Sequence, residues 1–149
     1  MAFPYLCSMD FEQKLADLNA RCAHTFLETL GIRYVELTED RLVAEMAVTS
    51  ALHQPMGLLH GGATVALAET VGSAFSFVQL GENASLAAVG QEISANHIRS
   101  VREGIVRATA RFLHIGRRSH VLEIRVEDSE GRLVSFLKMT NALIPKKPM

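Results

Sequence analysis

The run from Gly61 to Val78 limits what this chain can fold into more than any other stretch. Its eighteen residues contain no Pro, Lys or Arg, and Glu69 is the one charged residue. Apolar or small side chains cover every side, which predicts a helix that is buried rather than half-exposed. The amides of Gly61 and Gly62 would open this helix as unpaired donors suited to an oxyanion. A carboxylate in the middle of such a helix is costly to bury without a partner or a purpose.

Signals on either side of this run predict the rest of the fold. Residues 10–30 carry an apolar stripe of helical period, with Asp10 as N-cap and Gly31 as the stop, and predict one helix. Ile32–Leu37 and Leu42–Val48 predict a β-hairpin. After the central helix come only strand signals, which predict four antiparallel strands in hairpin succession. These strands are predicted at 84–98, 105–115, 119–128 and 133–143. The predicted class is α+β: a long central helix wrapped by a curved antiparallel sheet, with an additional N-terminal helix.

The length of 149 residues predicts a single domain with a substantial core. We expect this domain to span 10–144, with a flexible N-terminal extension over 1–9 and a flexible tail over 145–149. Met1 and Met9 are both candidates for the true start. Cys7 and Cys22 belong to no CxxC motif, which favours free thiols in a reducing compartment.

Composition and charge exclude several functional classes. Lys plus Arg (15) nearly equals Asp plus Glu (16), so no basic excess indicates nucleic-acid binding. The N-terminus lacks the basic region and long apolar core of a signal peptide. Glu69 and several small residues interrupt the longest apolar run, which favours a buried helix over a membrane span. The predicted location is the cytoplasm.

The residue types around the central helix suit the transfer of an acyl group to water. The backbone N–H of Gly61, with the helix dipole behind it, can bind the oxygen of a carbonyl that becomes an oxyanion. Glu69 can attack the carbonyl directly or deprotonate a water. Gln54 and His60 are polar groups placed where they could orient the carbonyl or the attacking water.

The spacing of Gly61 and Glu69 predicts an oligomer. They are eight residues apart, roughly 12 Å along a helix, whereas reacting groups must meet within about 3–3.5 Å. Two copies of the helix running antiparallel across a two-fold axis would bring Glu69 of one subunit to Gly61 of the other. If both residues serve one reaction, the protein is at least a dimer.

Three segments carry a family resemblance that extends from about Phe26 to Ile144. They are HQPMGLLHGGATVALAE (His53–Glu69), ISANHIRSVREG (Ile93–Gly104) and FLHIGRRS (Phe112–Ser119). The chain resembles the hotdog-fold acyl-CoA thioesterases, in the branch with the Arthrobacter-type 4-hydroxybenzoyl-CoA, phenylacetate-pathway and 1,4-dihydroxy-2-naphthoyl-CoA thioesterases. This resemblance implies hydrolysis of an acyl-CoA, with an aromatic acyl group favoured, and no cofactor beyond the CoA of the substrate.

The same resemblance implies roles for individual residues. It assigns catalysis to Gln54, His60, Gly61 and Glu69, and suggests that Ser73 assists. It implies that the CoA moiety is held by Gly90, His97, Ile98, Arg99, Ser100, His114, Ile115, Gly116, Arg117, Arg118 and Ser119. From the residues themselves, arginine side chains in these stretches suit the phosphate oxygens of CoA. The resemblance also implies a homodimer, and for many members a tetramer made of two dimers. An acyl carrier protein is a second possible source of the acyl group.

Alternatives remain open at this stage. A hotdog hydratase or dehydratase also uses His and an acid, and a non-catalytic acyl-CoA sensor would keep the CoA site without needing Glu69. Such a sensor usually carries a DNA-binding segment, which a single helix over Phe11–Leu30 does not provide. Each candidate residue also has a structural interpretation, such as close packing at Gly61 or at Ser73. The spacing of His53, His60 and Glu69 matches no helical ligand pair for a metal.

Overall fold

The computed structural model describes residues 10–81 and 84–146. Its helices are α1 (Phe11–Ala20), α2 (Phe26–Leu30) and α3 (Gly61–Leu80), and a short 3-10 turn spans Ser50–Leu52. Its strands are β1 (Arg33–Leu37), β2 (Leu42–Ala47), β3 (His53–Gln54), β4 (Leu58–Leu59), β5 (Leu86–His97), β6 (Ile105–Ile115), β7 (Ser119–Glu127) and β8 (Leu133–Pro145). The α+β class, the long helix packed on an antiparallel sheet and the additional N-terminal helix are as predicted.

The main sheet has six strands in the order β1-β2-β6-β7-β8-β5, with antiparallel neighbours. The hairpins β1–β2, β6–β7 and β7–β8 confirm the prediction, but β5 does not form a hairpin with β6. The chain after β5 instead bonds to other elements: Ile98 N–H donates to Val134 C=O, and Leu59 N–H donates to Val101 C=O. It therefore crosses the domain before Gly104 turns it into β6 beside β2. Strand β5 lies at an edge of the sheet.

Helix α3 is buried on the side that faces the sheet. Leu67, Val71, Phe75 and Val78 are fully buried there, and each such side chain contributes about 1.5–3 kcal/mol of hydrophobic stabilisation. By length and composition α3 could cross a membrane, but half of its most apolar window is buried inside the domain. The prediction that α3 is buried on all sides is wrong for one chain. Glu69 and its neighbours on one stripe of α3 remain accessible to solvent.

The segment predicted as one N-terminal helix is two helices. Asp10 caps α1 as predicted, its carboxylate accepting from the Gln13 N–H at 3.0 Å. The helix nevertheless ends at Ala20, and the second begins after Thr25, whose hydroxyl accepts from Leu27 N–H and donates to Cys22 C=O. Short polar side chains that bond nearby backbone in this way compete with helix formation. Gly31, at φ 67°, ends α2 as predicted.

Strand β8 runs to the last described residues. It continues through Pro145, one residue beyond the predicted boundary at 144, and the Lys146 N–H donates to Ser85 C=O. The predicted extension over 1–9, with Cys7 and both candidate starts, lies outside the described residues. So do Glu82 and Asn83 of the predicted turn and the last three residues of the predicted tail.

Candidate active site

The N-terminus of α3 presents an open hydrogen-bond donor. His60 is the N-cap, and its Nδ1 accepts from the Gly62 N–H at 2.8 Å. The N–H groups of Ala63 and Thr64 both reach the His60 carbonyl. Within the described residues, no acceptor pairs with the Gly61 N–H. The cap thus uses the His60 ring to hold the turn and leaves the Gly61 amide available, as an oxyanion site requires.

Gln54 lies beside this donor and is held by its own hairpin. Strands β3 and β4 pair Gln54 with Leu58, and the side-chain oxygen of Gln54 accepts from the Met56 N–H. This bond fixes the orientation of the carboxamide. The NH₂ group has no partner among the described residues, so Gln54 adds a second available donor.

Gln54 and Gly61 line the same cavity of about 260 Å³. The other residues that line it are Leu58, Leu59, Thr64, His97, Ile98, Arg99, Ser100, Val101, Val134 and Ser135. Backbone and side-chain donors therefore share one pocket with the last residue of β5 and the segment after it.

His97 packs directly against Gly61. A Cβ at Gly61 would lie 2.8 Å from His97 Nε2, so only glycine admits the ring at this distance. The other ring nitrogen, Nδ1, is 2.8 Å from the Ser135 hydroxyl, which fixes the plane of the imidazole. His97 was predicted as a CoA contact, and the fold also places its ring at the N-terminus of α3. Ser135 was not predicted at all, since a serine inside a strand carries no sequence signal for this role.

Glu69 lies in a different cavity, of about 540 Å³. That cavity is lined by Leu18, Arg21, Phe26, Leu27, Tyr34, Ala66, Glu69, Thr70, Ser73, Ala74, Phe77 and Ala88. The Glu69 carboxylate is exposed and forms no ion pair with any described residue. Ser73, one helical turn further on, lies in the same cavity, as its predicted assisting role requires.

Gly90 on β5 makes room for this carboxylate. A Cβ at Gly90 would lie 2.8 Å from Glu69 Oε1, so the carboxylate rests on bare strand backbone. Gly90 was predicted as a CoA contact, and the structure places it against the candidate catalytic acid. One chain therefore presents two separate groups of residues. We call Gln54, Gly61 and His97 the donor half-site, and Glu69, Ser73 and Gly90 the carboxylate half-site.

Comparison with known proteins decides the family. A sequence profile of the Thioesterase superfamily matches residues 56–135. The chain is 43% identical over 130 residues to the proofreading thioesterase EntH of Cronobacter turicensis, covering 87% of this chain and 93% of that protein. The chain belongs to the thioesterase superfamily.

Solved structures of other members have the same fold. A mutant of the thioesterase PA1618 from Pseudomonas aeruginosa superposes with a TM-score of 0.86 at 40% identity, covering 89% of this chain and 94% of that one. The thioesterase HI1161 from Haemophilus influenzae gives a TM-score of 0.84 at 38% identity, covering 88% and 90%. The hotdog fold is thereby confirmed, and this thioesterase is an enzyme of the thioester hydrolase class.

The two stretches predicted to hold CoA lie far apart in one chain of this thioesterase. His97 pairs with Ser135 of β8, whereas His120, just after the second stretch, pairs with Asn141. Ser135 and Asn141 are about 20 Å apart along the strand at roughly 3.3 Å per residue. The stretch His97–Ser100 therefore lies at the end of the sheet with the donor half-site, and 114–119 lies at the other end.

The described part of the thioesterase holds no group of three His, Cys, Asp or Glu side chains placed to bind a metal ion. His53, one of the residues weighed as a ligand, instead contacts the Arg102 carbonyl through Nε2 at 2.8 Å. Cys22 is a free, buried thiol, and burial raises its pKa.

Proposed function

We propose that this thioesterase hydrolyses acyl-CoA thioesters, preferentially aromatic ones, at a site completed by a second copy of the chain. Within the family we place it in the branch of the 4-hydroxybenzoyl-CoA, phenylacetate-pathway and 1,4-dihydroxy-2-naphthoyl-CoA thioesterases. One observation carries the proposal. The donor half-site and the carboxylate half-site lie in separate cavities of one chain, about 12 Å apart along α3.

Antiparallel pairing of two copies would join the half-sites. The exposed stripe of α3 contains Gly62 and Glu69, with the half-buried Ala66, Ser73 and Phe77 between and beyond them. Beside it runs the edge strand β5, whose unpaired backbone groups are suited to a second copy. A two-fold axis through both would bring the Glu69 carboxylate of one subunit to the Gly61 amide of the other, twice in each dimer. Two dimers could pair further into a tetramer.

The chemistry follows from the joined site. The Gly61 N–H and the Gln54 NH₂ hold the thioester oxygen as it gains negative charge. Glu69 either attacks the carbonyl carbon, giving an anhydride that water cleaves, or takes a proton from a water that attacks the carbon. In the first route the carbon–sulfur bond breaks as the anhydride forms, and in the second it breaks after the water has attacked. In both routes the sulfur of CoA takes up a proton that comes from the water, and the acid is released. His60 serves by capping the helix, and Ser73 by contacting water or substrate.

Substrate placement follows from the two cavities. The acyl group would enter the cavity beside Glu69, where Ala66 and Ala74 leave room for a ring. The same antiparallel pairing would bring His97–Ser100 of one subunit toward 114–119 of the other. Exposed arginines from both stretches could then meet the phosphates of one CoA. An acyl group on a carrier protein is a second proposed substrate, and no cofactor is required. We further propose a cytoplasmic location.

Free-thiol release from a panel of acyl-CoAs tests the proposal. The panel contains benzoyl, hydroxybenzoyl, dihydroxynaphthoyl, phenylacetyl, and short and medium aliphatic thioesters, with a 2-enoyl-CoA to detect hydration. Wild type is compared with Glu69→Gln, which keeps the size of the side chain and removes its charge. We expect aromatic thioesters to react fastest and kcat to fall roughly 10²–10⁴-fold in the variant, with KM nearly unchanged.

Glu39→Gln in the exposed turn between β1 and β2 is the matched control and should react like wild type. Two results would overturn the proposed function. One is the absence of thiol release from every member of the panel. The other is a Glu69→Gln variant as active as the control.

A further inference from the structure

The cavity that holds Glu69 contains a buried phenol for which hydrolysis has no use. Tyr34 of β1 lines this cavity and is only 5% exposed. Among the described residues, none forms a hydrogen bond with its hydroxyl. A buried tyrosine hydroxyl normally has a partner, and leaving it unpaired is costly. The Tyr34 hydroxyl is not among the buried, unpaired side-chain atoms of the described residues, so it reaches the cavity and is available to whatever occupies it.

The backbone of Tyr34 is held in place from both sides. The Asn19 side chain of α1 accepts from the Tyr34 N–H and donates to its C=O, both at 2.9 Å. Tyr34 is also paired with Ala44 of β2. Burial, reinforced by the neighbouring Cys22 thiol, raises the pKa of the Tyr34 hydroxyl. The phenol therefore stays neutral near pH 7 and can both donate and accept a hydrogen bond.

The surroundings of Tyr34 are mostly apolar. Leu18 of α1, Leu27 of α2 and Ala74 and Phe77 of α3 line the same cavity. Thr70 and Ser73 also line the cavity, but they lie on the same helix as Glu69 and close to it in sequence. We therefore assign them to the end of the cavity where the reaction takes place. Arg21 lies over the Phe77 ring at 5.2 Å and steadies that wall. Tyr34 thus brings a hydrogen-bonding group from a different wall than the one that carries Glu69.

We propose that Tyr34 determines specificity by forming a hydrogen bond to a hydroxyl group on the aromatic acyl group. This inference rests on the proposed function, because it places the acyl group in the cavity beside Glu69. The substrate class it selects is a ring-hydroxylated aroyl thioester. A ring without the hydroxyl would bury the phenol of Tyr34 with no partner, and such a loss discriminates more strongly than a change in apolar contact.

The test compares benzoyl-CoA with 2-, 3- and 4-hydroxybenzoyl-CoA in wild type and Tyr34→Phe. We expect wild type to favour at least one hydroxylated isomer by about tenfold in kcat/KM. Tyr34→Phe should lose most of that preference, and its kcat/KM for benzoyl-CoA should rise, because no phenol is then left unpaired beside the bare ring. Phe77→Leu is the matched cavity control, since it removes apolar contact without touching a hydrogen bond. It should slow both substrates together and keep their ratio.

The outcomes separate this inference from the proposed function. Hydrolysis of all four thioesters by wild type at equal rates would overturn the role of Tyr34 and leave the proposed function standing. A hydroxyl preference that persists in Tyr34→Phe would do the same. No hydrolysis of any acyl-CoA would overturn both. Because wild type alone already tests the preference, the inference does not depend on the folding of the variant.

Discussion

The two half-sites are carried by the same helix, yet they are built in opposite ways. In the donor half-site both polar side chains are held by bonds to the protein, Gln54 to Met56 and His97 to Ser135, and the adjacent His60 is held by its bond to Gly62. In the carboxylate half-site the charge of Glu69 has no partner among the described residues and lies on the bare backbone of Gly90.

This difference shows that the two half-sites perform different steps of the reaction. Donors that stabilise an oxyanion act best when they are fixed before the reaction, since they then need no reorganisation. A carboxylate that attacks or takes a proton must keep its lone pairs available, which a strong ion pair would prevent. Each half-site is thus suited to one task, and neither is complete in one chain.

After Glu69→Gln, the largest effect is expected from weakening the donor half-site at Gln54. Gln54→Ala removes the side-chain donor and should lower kcat roughly 10²-fold for every thioester on the panel. Steady-state thiol release measures it. Gln13→Ala, on the exposed surface of α1, is the control and should leave kcat unchanged. An equal loss in both variants would mean that Gln54 supports the fold rather than the reaction.

A smaller effect is expected from crowding the carboxylate half-site. In Gly90→Ala the new methyl group would press on Glu69 Oε1, and the carboxylate must move. We expect kcat to fall by about tenfold, since small displacements of a reacting group are costly. In a Glu69→Asp background the shorter side chain should avoid the methyl group, so Gly90→Ala should then have little further effect. Additive losses in the double variant would contradict contact between these two residues.

The smallest effect is expected away from both half-sites. Hydrogen bonds from Arg33 and then Arg107 hold the pKa of Glu45 below its ordinary value, although burial alone would raise it. Glu45→Gln should lower the free energy of unfolding by about 1 kcal/mol and leave kcat unchanged. Denaturant unfolding near pH 7 measures the first quantity.

The pH dependence of that effect has a defined sign. A carboxyl whose pKa is depressed in the folded state adds stability above its unfolded pKa of about 4.3. This contribution is lost as the pH falls through the lower folded pKa. Wild type and Glu45→Gln should therefore differ near neutral pH and converge in acid. A constant difference across this range would contradict the ion pairing of Glu45.

Much of this comparison could be predicted from sequence, because it rests on local patterns. An apolar run opened by two glycines predicts the start of α3 at Gly61, and helix geometry alone separates Gly61 from Glu69. The break at Thr25 could not be predicted, because the apolar stripe of 10–30 continues across it and predicts a single helix. The pairing of β5 with β8 depends on the hydrogen bonds that the segment after β5 makes to other elements. The periodicity of apolar residues in the sequence does not predict those bonds.

The contacts that complete each half-site could not be predicted, because they join residues distant in sequence. His97 reaches Gly61, and Gly90 reaches Glu69, only through the fold. The family resemblance implied only that both residues contact CoA, without assigning either one a position in the site. The placement of the two predicted CoA stretches at opposite ends of the sheet likewise depends on the register of β5 and β7 against β8.

Complementation between two inactive variants tests the composite site most directly. Glu69→Gln and Gln54→Ala are co-expressed with different tags, and the mixed oligomers are assayed for thiol release beside each variant alone. If each site takes Glu69 from one subunit and Gln54 from the other, a mixed dimer contains one intact site and one doubly altered site. An equimolar random mixture should then recover about a quarter of wild-type activity. Mixed oligomers that stay as inactive as the separate variants would show that both residues act within one subunit, and the composite site would be wrong.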